Sequence, residues 1–266
     1  MNFLTKLNSS MHGIRSIEVV PPKISKVSEQ LQELRKISDL LDFITVTDNA
    51  RGKATINSIA YAHILKNDLN IPVIPHISPR DRNILALKSD VYAGLVLDLD
   101  GFFVIGGDSL TDLKEVREVD TLTLISMIKD LAITYSSTKK AVGTSIFHSY
   151  THEYILKKLE HGSDFFITQG ILELNQNIST ILNEFGNLTV AGFILPKYRA
   201  FLENYKRLGL DISEQNVKRF LDAENFESEM IKSALEIYEE IKNKIIGIHI
   251  MPLNHFKVAK TLLEVL

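Results

Sequence analysis

The sequence predicts a TIM (β/α)8 barrel, an α/β fold formed here by a single domain over residues 1–266. Short runs rich in β-branched and aromatic residues alternate with longer amphipathic segments, and eight such runs occur. This alternation indicates a parallel sheet with helical crossovers, and eight units in 266 residues are typical of a TIM barrel. An open doubly wound sheet is the alternative, but no G-x-G-x-x-G follows the first run.

The predicted strands each span five to seven residues and come at fairly regular intervals. They cover residues 14–20, 43–47, 73–77, 101–105, 141–145, 164–168, 188–194 and 245–250. Helical patterns cover residues 27–41, 56–66, 83–92, 122–133 and 154–161. The long segment between the seventh and eighth strands has room for two helices, at about 198–208 and 227–242, and a last helix spans 256–266.

The composition excludes several classes of protein. The net charge of −3 does not suggest a protein that binds nucleic acid. The absence of cysteine excludes disulfides, thiolate catalysis and cysteine-ligated metals. The apolar runs are only strand-length, so no membrane span is predicted, and the first residues lack the apolar core of a signal peptide. A soluble cytoplasmic protein is the expectation, and the sequence leaves open whether it forms a homo-oligomer.

Active sites of this fold lie at the carboxyl ends of the strands, so those ends should carry polar residues. Seven of the eight strand ends do. The residues are Glu18, then Thr45, Thr47, Asp48 and Asn49, then His76 and Ser78, then Gly106, Gly107 and Asp108, then Thr144, Ser145 and His148, then Thr168 and Gln169, and finally His249, Asn254 and His255. The repeated pattern predicts one functional site at this end of the barrel.

Glu18 is the most informative of these residues. Alternation along the first strand places Glu18 on the same face as Ser16 and Val20, while Ile17 and Val19 face the other way. Burial of a carboxylate raises its pKa, and a carboxylic acid with a raised pKa can act as a general acid near neutral pH. The alternative is a structural carboxylate paired with Arg15, Lys23 or a base on another strand.

Two further motifs can bind a ligand. In Gly106-Gly107-Asp108 the glycines allow close approach to the backbone, and Asp108 can accept a hydrogen bond from a ring N–H, although a tight turn would also explain the motif. Gln169 can donate and accept together, which suits the edge of a heterocycle such as a pterin, and a local turn contact is the equal alternative.

The histidines and lysines indicate a function less specifically than these motifs do. His76 matches no metal motif, and we expect no metal site. His148 and His152 have the i,i+4 spacing of a zinc pair, but a solvated helix start explains them better. Lys157 and Lys158 can bind phosphate or can belong to a solvated helix face.

Six segments together resemble one enzyme family. SIEVVPPK at residues 16–23 resembles the FEFFPPK motif that opens methylenetetrahydrofolate reductases, and FITVTDN at 43–49 resembles their second strand. PHISPRDRN at 75–83 is similar to the HLTCRDRN segment of the variants found in acetogens and their relatives. VIGGD at 104–108, FFITQ at 165–169 and GFILP at 192–196 match the fourth, sixth and seventh strands, so the resemblance covers nearly the whole chain.

The resemblance implies a flavoprotein of one-carbon metabolism, linked to methionine biosynthesis, that converts methylene- to methyl-tetrahydrofolate by hydride transfer from reduced flavin. FAD is the implied cofactor, with FMN or no flavin as alternatives, and NAD(P)H or another donor supplies electrons. Glu18 and Asp108 are the implied catalytic residues: Glu18 matches the catalytic acid, and Asp108 matches the aspartate that lies near the flavin pyrimidine and contacts the pterin. The matching flavin contacts are Thr47, His76, Gly106, Gly107, Asp108 and Lys158, and the matching substrate contacts are Asp108, Gln169 and Asn254.

Several positions depart from the family pattern. Gly106 stands where the family usually has arginine or threonine, and the segment after the fifth strand lacks the family's longer flavin-binding loop. His255 replaces an arginine after the last strand, and Leu202 lies near the position of an expected glutamine. Because the tail-binding positions differ most, a second hypothesis is a flavin-independent pterin-binding or methyl-transfer subunit. Such a subunit would work with a methyl-carrier or electron-donor protein.

Overall fold

Eight parallel strands close into a barrel in sequence order, and helices surround it. The computed structural model describes Leu7 and residues 13–108, 115–206 and 209–266. The strands are β1 (Ile14–Val19), β2 (Phe43–Val46), β3 (Val73–Ile77), β4 (Gly101–Val104), β5 (Ala141–Ile146), β6 (Phe165–Thr168), β7 (Thr189–Ile194) and β8 (Gly247–Met251). The predicted TIM barrel is confirmed, and each strand lies within about two residues of its predicted bounds.

The helices follow the amphipathic segments. In chain order they are α1 (Val27–Arg35), α2 (Ser58–Leu69), α3 (Ile84–Val96), α4 (Thr121–Tyr135), α5 (His152–Glu160), α6 (Gln176–Phe185), α7 (Glu214–Asp222), α8 (Phe226–Ile241) and α9 (Phe256–Val265). Most of them begin after a side chain that accepts a backbone N–H of the first turn: Asn57, Asn83, Asp120, Thr151, Asn175, Ser213 and Asn225. No helix in the described ranges has the length and apolar character that crossing a membrane requires.

One helix prediction was wrong, and two helices were not predicted. The segment expected to be helical at 198–208 contains only a 3-10 turn, Arg199–Asn204, which has no side-chain cap, and residues 207–208 lie outside the described part. The helix of this region is α7 instead, which begins after the Ser213 cap. α6 was also missed, although Ile178, Ile181, Leu182 and Phe185 give it a helical stripe of buried residues.

The barrel has two apolar layers, as expected for this fold. Outside the strands, residues such as Ile17 and Val19 are fully buried against the helices. Inside, Phe165 of β6 meets Phe43 of β2 and Phe103 of β4, with ring centroids 6.2 Å and 6.0 Å apart. These aromatic rings pack together in the barrel interior.

Close approach of β8 to β1 depends on a glycine. Gly247 lies opposite Ile14, and a Cβ at Gly247 would lie 2.2 Å from the Ile14 carbonyl oxygen. We expect Gly247→Ala to destabilise the protein by about 1–3 kcal/mol, because the backbone of a closed barrel cannot move aside cheaply.

Urea unfolding followed by circular dichroism would measure this effect. Gly106→Ala is the matched control, because a Cβ at Gly106 meets no atom within 4 Å. We expect that control to change stability by less than about 0.5 kcal/mol. Equal stability of Gly247→Ala and the wild type would show that β1 and β8 can separate without cost.

Candidate functional site

A cavity of about 410 Å³ opens at the carboxyl ends of the strands. This volume lies within the range typical of small-molecule sites. The lining includes most of the polar residues predicted from the strand ends: Glu18, Thr47, Asp48, His76, Gly106, Gly107, Asp108, Ser145, Thr168, Gln169 and His249. The barrel therefore brings together, from seven strands, residues that are up to 231 positions apart in sequence (249 − 18).

Glu18 lies within this cavity on β1, and its side chain is half-buried. Burial, and secondarily the nearby Asp108 carboxylate, raises the pKa of Glu18 to about 7. The alternative of a carboxylate paired with Arg15 or Lys23 finds no support, because no such ion pair occurs among the described residues. Glu18 can therefore hold a proton near neutral pH and release it to a bound ligand.

Asp108 lies at the rim of the cavity, beyond the end of β4. Its Oδ2 accepts the backbone N–H of Arg51 at 2.6 Å, which joins the loop after β2 to the loop after β4. Gly107 precedes it with φ of +80°, and a Cβ at this position would lie 2.2 Å from Ser78 Oγ. Glycine is thus required at 107, whereas Gly106 faces open space and could carry a side chain.

His249 and His76 lie deeper, beneath the carboxylates. His249 Nδ1 is 2.8 Å from Ser16 Oγ, and its Nε2 is 3.4 Å from Thr45 Oγ1. Burial lowers the pKa of both histidines to about 3, so both are neutral at physiological pH. His76 also packs against Phe103, with ring centroids 4.8 Å apart, so these uncharged rings line part of the cavity.

Two buried polar atoms of the lining residues have no hydrogen-bond partner in the described structure. They are Thr47 Oγ1 and His76 Nε2. Buried polar groups are nearly always paired, so these two atoms can accept a partner from a polar ligand or from water. A heterocycle with donors and acceptors on its edge, such as a flavin or pterin ring, fits this requirement.

One wall of the cavity is apolar and was not predicted from the sequence. Phe147 and Tyr150 follow β5 and pack edge to face, with ring centroids 4.9 Å apart, and Ile105, Ile167 and Met251 also contribute. The aromatic residues directly after the fifth strand were the available signal. This wall can exclude water from a bound ring and cover its face.

Lys158 does not line the cavity, although the resemblance made it a phosphate contact. Its side chain on α5 is fully buried, and Nζ donates to the Ser145 carbonyl oxygen at 2.7 Å. The ammonium also lies 4.5 Å from the Tyr150 ring centroid and 5.2 Å from that of Tyr154, and burial lowers the pKa of Lys158 to about 7. Lys158 therefore supports the aromatic wall from behind.

Asn254, which the resemblance made a substrate contact, is likewise outside the lining of this cavity. Its Oδ1 accepts the Val20 N–H at 3.1 Å, and its Nδ2 donates to the Val20 carbonyl oxygen at 2.9 Å. Both ends of the amide thus hold the end of β1 against the loop after β8. Asn254 fixes the backbone close to Glu18.

The two histidines after β5 contact different carboxylates. His148 precedes α5 and lies 3.9 Å from Asp211, while His152 contacts Glu184 at 2.8 Å. Across the described residues, no three histidine, aspartate or glutamate side chains are grouped to hold a metal ion.

A family model of methylenetetrahydrofolate reductase matches residues 4–266. The chain belongs to the methylenetetrahydrofolate reductase family. No curated protein sequence matches it significantly.

Solved structures share the fold of this reductase-family chain at low identity. An uncharacterized protein from Clostridium thermocellum that binds two copies of 5-methyl-5,6,7,8-tetrahydrofolic acid is 17% identical, with a TM-score of 0.73 over 98% of this chain and 99% of the other. A 2,3-dimethylmalate lyase is 12% identical, with a TM-score of 0.57 over 99% and 83%. An oxaloacetate acetylhydrolase is 9% identical, with a TM-score of 0.57 over 98% and 82%.

Proposed function

We propose that the protein reduces 5,10-methylene-tetrahydrofolate, or a related methylene-pterin, to the 5-methyl form, with Glu18 as the general acid. The observation that carries this proposal is a carboxyl group with a pKa of about 7 inside a ring-sized cavity. Membership of the reductase family supports the reaction class, and the folate bound by the Clostridium protein supports the substrate class.

Glu18 would donate its proton to the amine nitrogen that leaves when the methylene bridge opens. Opening produces an iminium carbon, which accepts a hydride to become the methyl group. Asp108, which has one oxygen left after bonding to Arg51, and Gln169 would hold the amino-pyrimidine edge of the pterin. The carboxylate of Asp108 also favours the protonated form of Glu18, so the two acidic groups have different roles.

A flavin, FAD or alternatively FMN, would supply the hydride, and NAD(P)H or another donor would restore the reduced flavin. Thr47, His76 and Gly107 would hold its ring, because two of them offer unpaired buried polar atoms and the third leaves the backbone accessible. The apolar wall of Phe147 and Tyr150 would keep water away from the iminium carbon.

The second candidate is a flavin-independent pterin-binding subunit that passes a methyl group to a partner protein. Two observations favour it. We call the cavity that contains Glu18 the main cavity. No lysine or arginine is among its described lining residues, and Lys158 is buried behind the apolar wall. The Clostridium protein binds two methyl-tetrahydrofolate molecules, and a second pterin here would take the place of the flavin ring.

An anaerobic absorbance titration separates the two functions. We expect the purified protein, supplied with FAD or FMN, to show a flavin band that bleaches on addition of 5-methyl-tetrahydrofolate, because hydride transfer is reversible. Calorimetry with 5-methyl-tetrahydrofolate alone is the control for folate binding. Folate binding without any flavin binding would reject the reductase proposal and leave the methyl-transfer function.

A further inference from the structure

A second cavity, of about 270 Å³, lies beside the main cavity. It is formed by the loops that follow β2, β3 and β4, and we call it the side cavity. Asp48, Gly107 and Asp108 line both cavities, so a ligand that fills the first can extend into the second. The side cavity also includes Lys53 and Arg80, which have no counterpart in the main cavity.

Arg80 is the central feature of the side cavity. Its side chain is only 9% exposed, and its Nε is buried without a hydrogen-bond partner in the described structure. Its Nη2 lies 3.0 Å from Glu115, but Glu115 also pairs with Arg117, so this group of three carries one excess positive charge. A buried guanidinium with an unused donor indicates a missing acceptor.

Apart from Lys53, the other charged side chains of the side cavity already have ion-pair or hydrogen-bond partners. Asp48 and Arg82 form a two-point ion pair, and Arg82 Nε also lies 3.4 Å from Asp90. Asp81 and Asp108 each accept a backbone N–H, from Val116 and Arg51 respectively. Lys53 is exposed at the rim and forms no ion pair with the described residues, so it adds a second available cation.

The loop after β2 adds backbone donors. Asn49, Arg51 and Gly52 all have positive φ, so the loop turns tightly beside the side cavity. The N–H of Arg51 already binds one anionic oxygen, that of Asp108. The loop therefore already binds one carboxylate oxygen at this edge of the site.

We propose that the side cavity binds the phosphate group of the redox nucleotide. This inference rests on the proposed reductase function. The side cavity would supply the positive charge for the phosphate that Lys158 does not provide. The ring would lie in the main cavity, and the phosphate would extend over Gly107 to Arg80 Nε and Lys53. The nucleotide would then run towards the loops after β2 and β3, away from α5.

Fluorescence titrations with riboflavin, FMN and FAD test this directly. We expect the wild type to bind FMN at least about tenfold more tightly than riboflavin, because a hydrogen bond to a charged group contributes about 1.5–3 kcal/mol. The preference should fall to about twofold or less in Arg80→Gln, should fall in part in Lys53→Gln, and should weaken with added salt. Lys36→Gln, an exposed lysine beyond the end of α1, is the control and should keep the full preference.

Further measurements identify which nucleotide supplies the phosphate and control for a variant that fails to fold. Arg80→Lys keeps the charge but loses Nε, so it should retain folding and still weaken FMN binding. NADH carries phosphate and dihydronicotinamide riboside does not. If the wild type binds NADH more tightly and Arg80→Gln loses this preference, the side cavity is supported as a phosphate site for a nucleotide whose ring is nicotinamide.

Three outcomes would overturn the side-cavity proposal: equal affinity of the wild type for compounds with and without phosphate, a preference that survives both Arg80→Gln and Lys53→Gln, or a preference lost only in Lys158→Met. Binding of 5-methyl-tetrahydrofolate is measured in parallel. Failure of the wild type to bind this folate would reject the proposed function, whatever the nucleotide results show.

Discussion

Replacing Glu18 with glutamine is expected to slow the reduction of methylene-tetrahydrofolate by a factor of about a hundred or more, as for the loss of a general acid. The amide cannot donate a proton that opens the methylene bridge, but it occupies nearly the same volume on β1. Binding of 5-methyl-tetrahydrofolate and of any flavin should therefore change little. Steady-state kinetics under anaerobic conditions, with calorimetry as the binding control, would measure the two effects separately.

The dependence on pH provides a second measurement on the same residue. Since the pKa of Glu18 is about 7, its acid form is available below pH 7 and is lost above it. The wild-type rate of the folate step should fall above this pH, while the residual rate of Glu18→Gln should not show the same decline. A wild-type rate that stays constant from pH 6 to 9 would remove Glu18 from the role of acid.

The raised pKa also has a consequence for stability. An unfolded glutamate has a pKa of about 4.3, so the native state holds this proton more tightly than the unfolded chain does. The resulting destabilisation is absent below about pH 4.3, grows between about pH 4.3 and 7, and is complete above about pH 7. Glu18→Gln should therefore be more stable than the wild type at pH 8, and this advantage should disappear near pH 4.

Removing the Asp48 carboxylate is expected to produce the largest loss of stability. The side chain of Asp48 is 2% exposed, and it accepts two guanidinium donors of Arg82 and the backbone N–H of Ser78. Asp48→Ala would leave the largely buried Arg82 with only Asp90 as a charged partner. We expect a cost of about 3–5 kcal/mol, because an uncompensated buried charge is expensive.

Chemical unfolding of Asp48→Ala and of Glu153→Ala would test this prediction. Glu153 forms an exposed ion pair with Lys157 on α5, and its removal should cause no measurable change because solvent screens such pairs. The double variant Asp48→Ala with Arg82→Met should recover part of the lost stability, since it also removes the unpaired charge. A loss below about 1 kcal/mol for Asp48→Ala would show that Arg82 finds another partner or reaches water.

The sequence was sufficient to predict the barrel because the features that specify each strand and helix are local. Strand-length apolar runs, N-cap residues and amphipathic stripes each specify one element, and eight repeats of strand and helix lead to one closed sheet. The errors occurred where local signals conflict, as at Arg199–Asn204, where an amphipathic pattern without a cap formed only a 3-10 turn. The nearby helix α7 was overlooked although Ser213 caps it and Val217 and Phe220 form its buried face.

The sequence also determined which residues meet at the carboxyl ends of the strands. The position of Glu18 at the end of the first strand was enough to predict a buried acid, because alternation and barrel topology together fix the direction of its side chain. Motif matching similarly identified the family, which the family model confirmed.

Only the tertiary structure decided what the loops do. Lys158 matched a phosphate-binding position, yet its ammonium turns inwards to the Ser145 carbonyl and the Tyr150 ring. Asn254 matched a substrate position, yet its amide holds Val20. Arg80 gave no individual signal in the sequence, and its unpaired Nε became visible only when the loops after β2, β3 and β4 came together. Periodicity fixes the face of a strand, but the partner of a long polar side chain depends on which distant groups compete for it, and packing alone settles that competition.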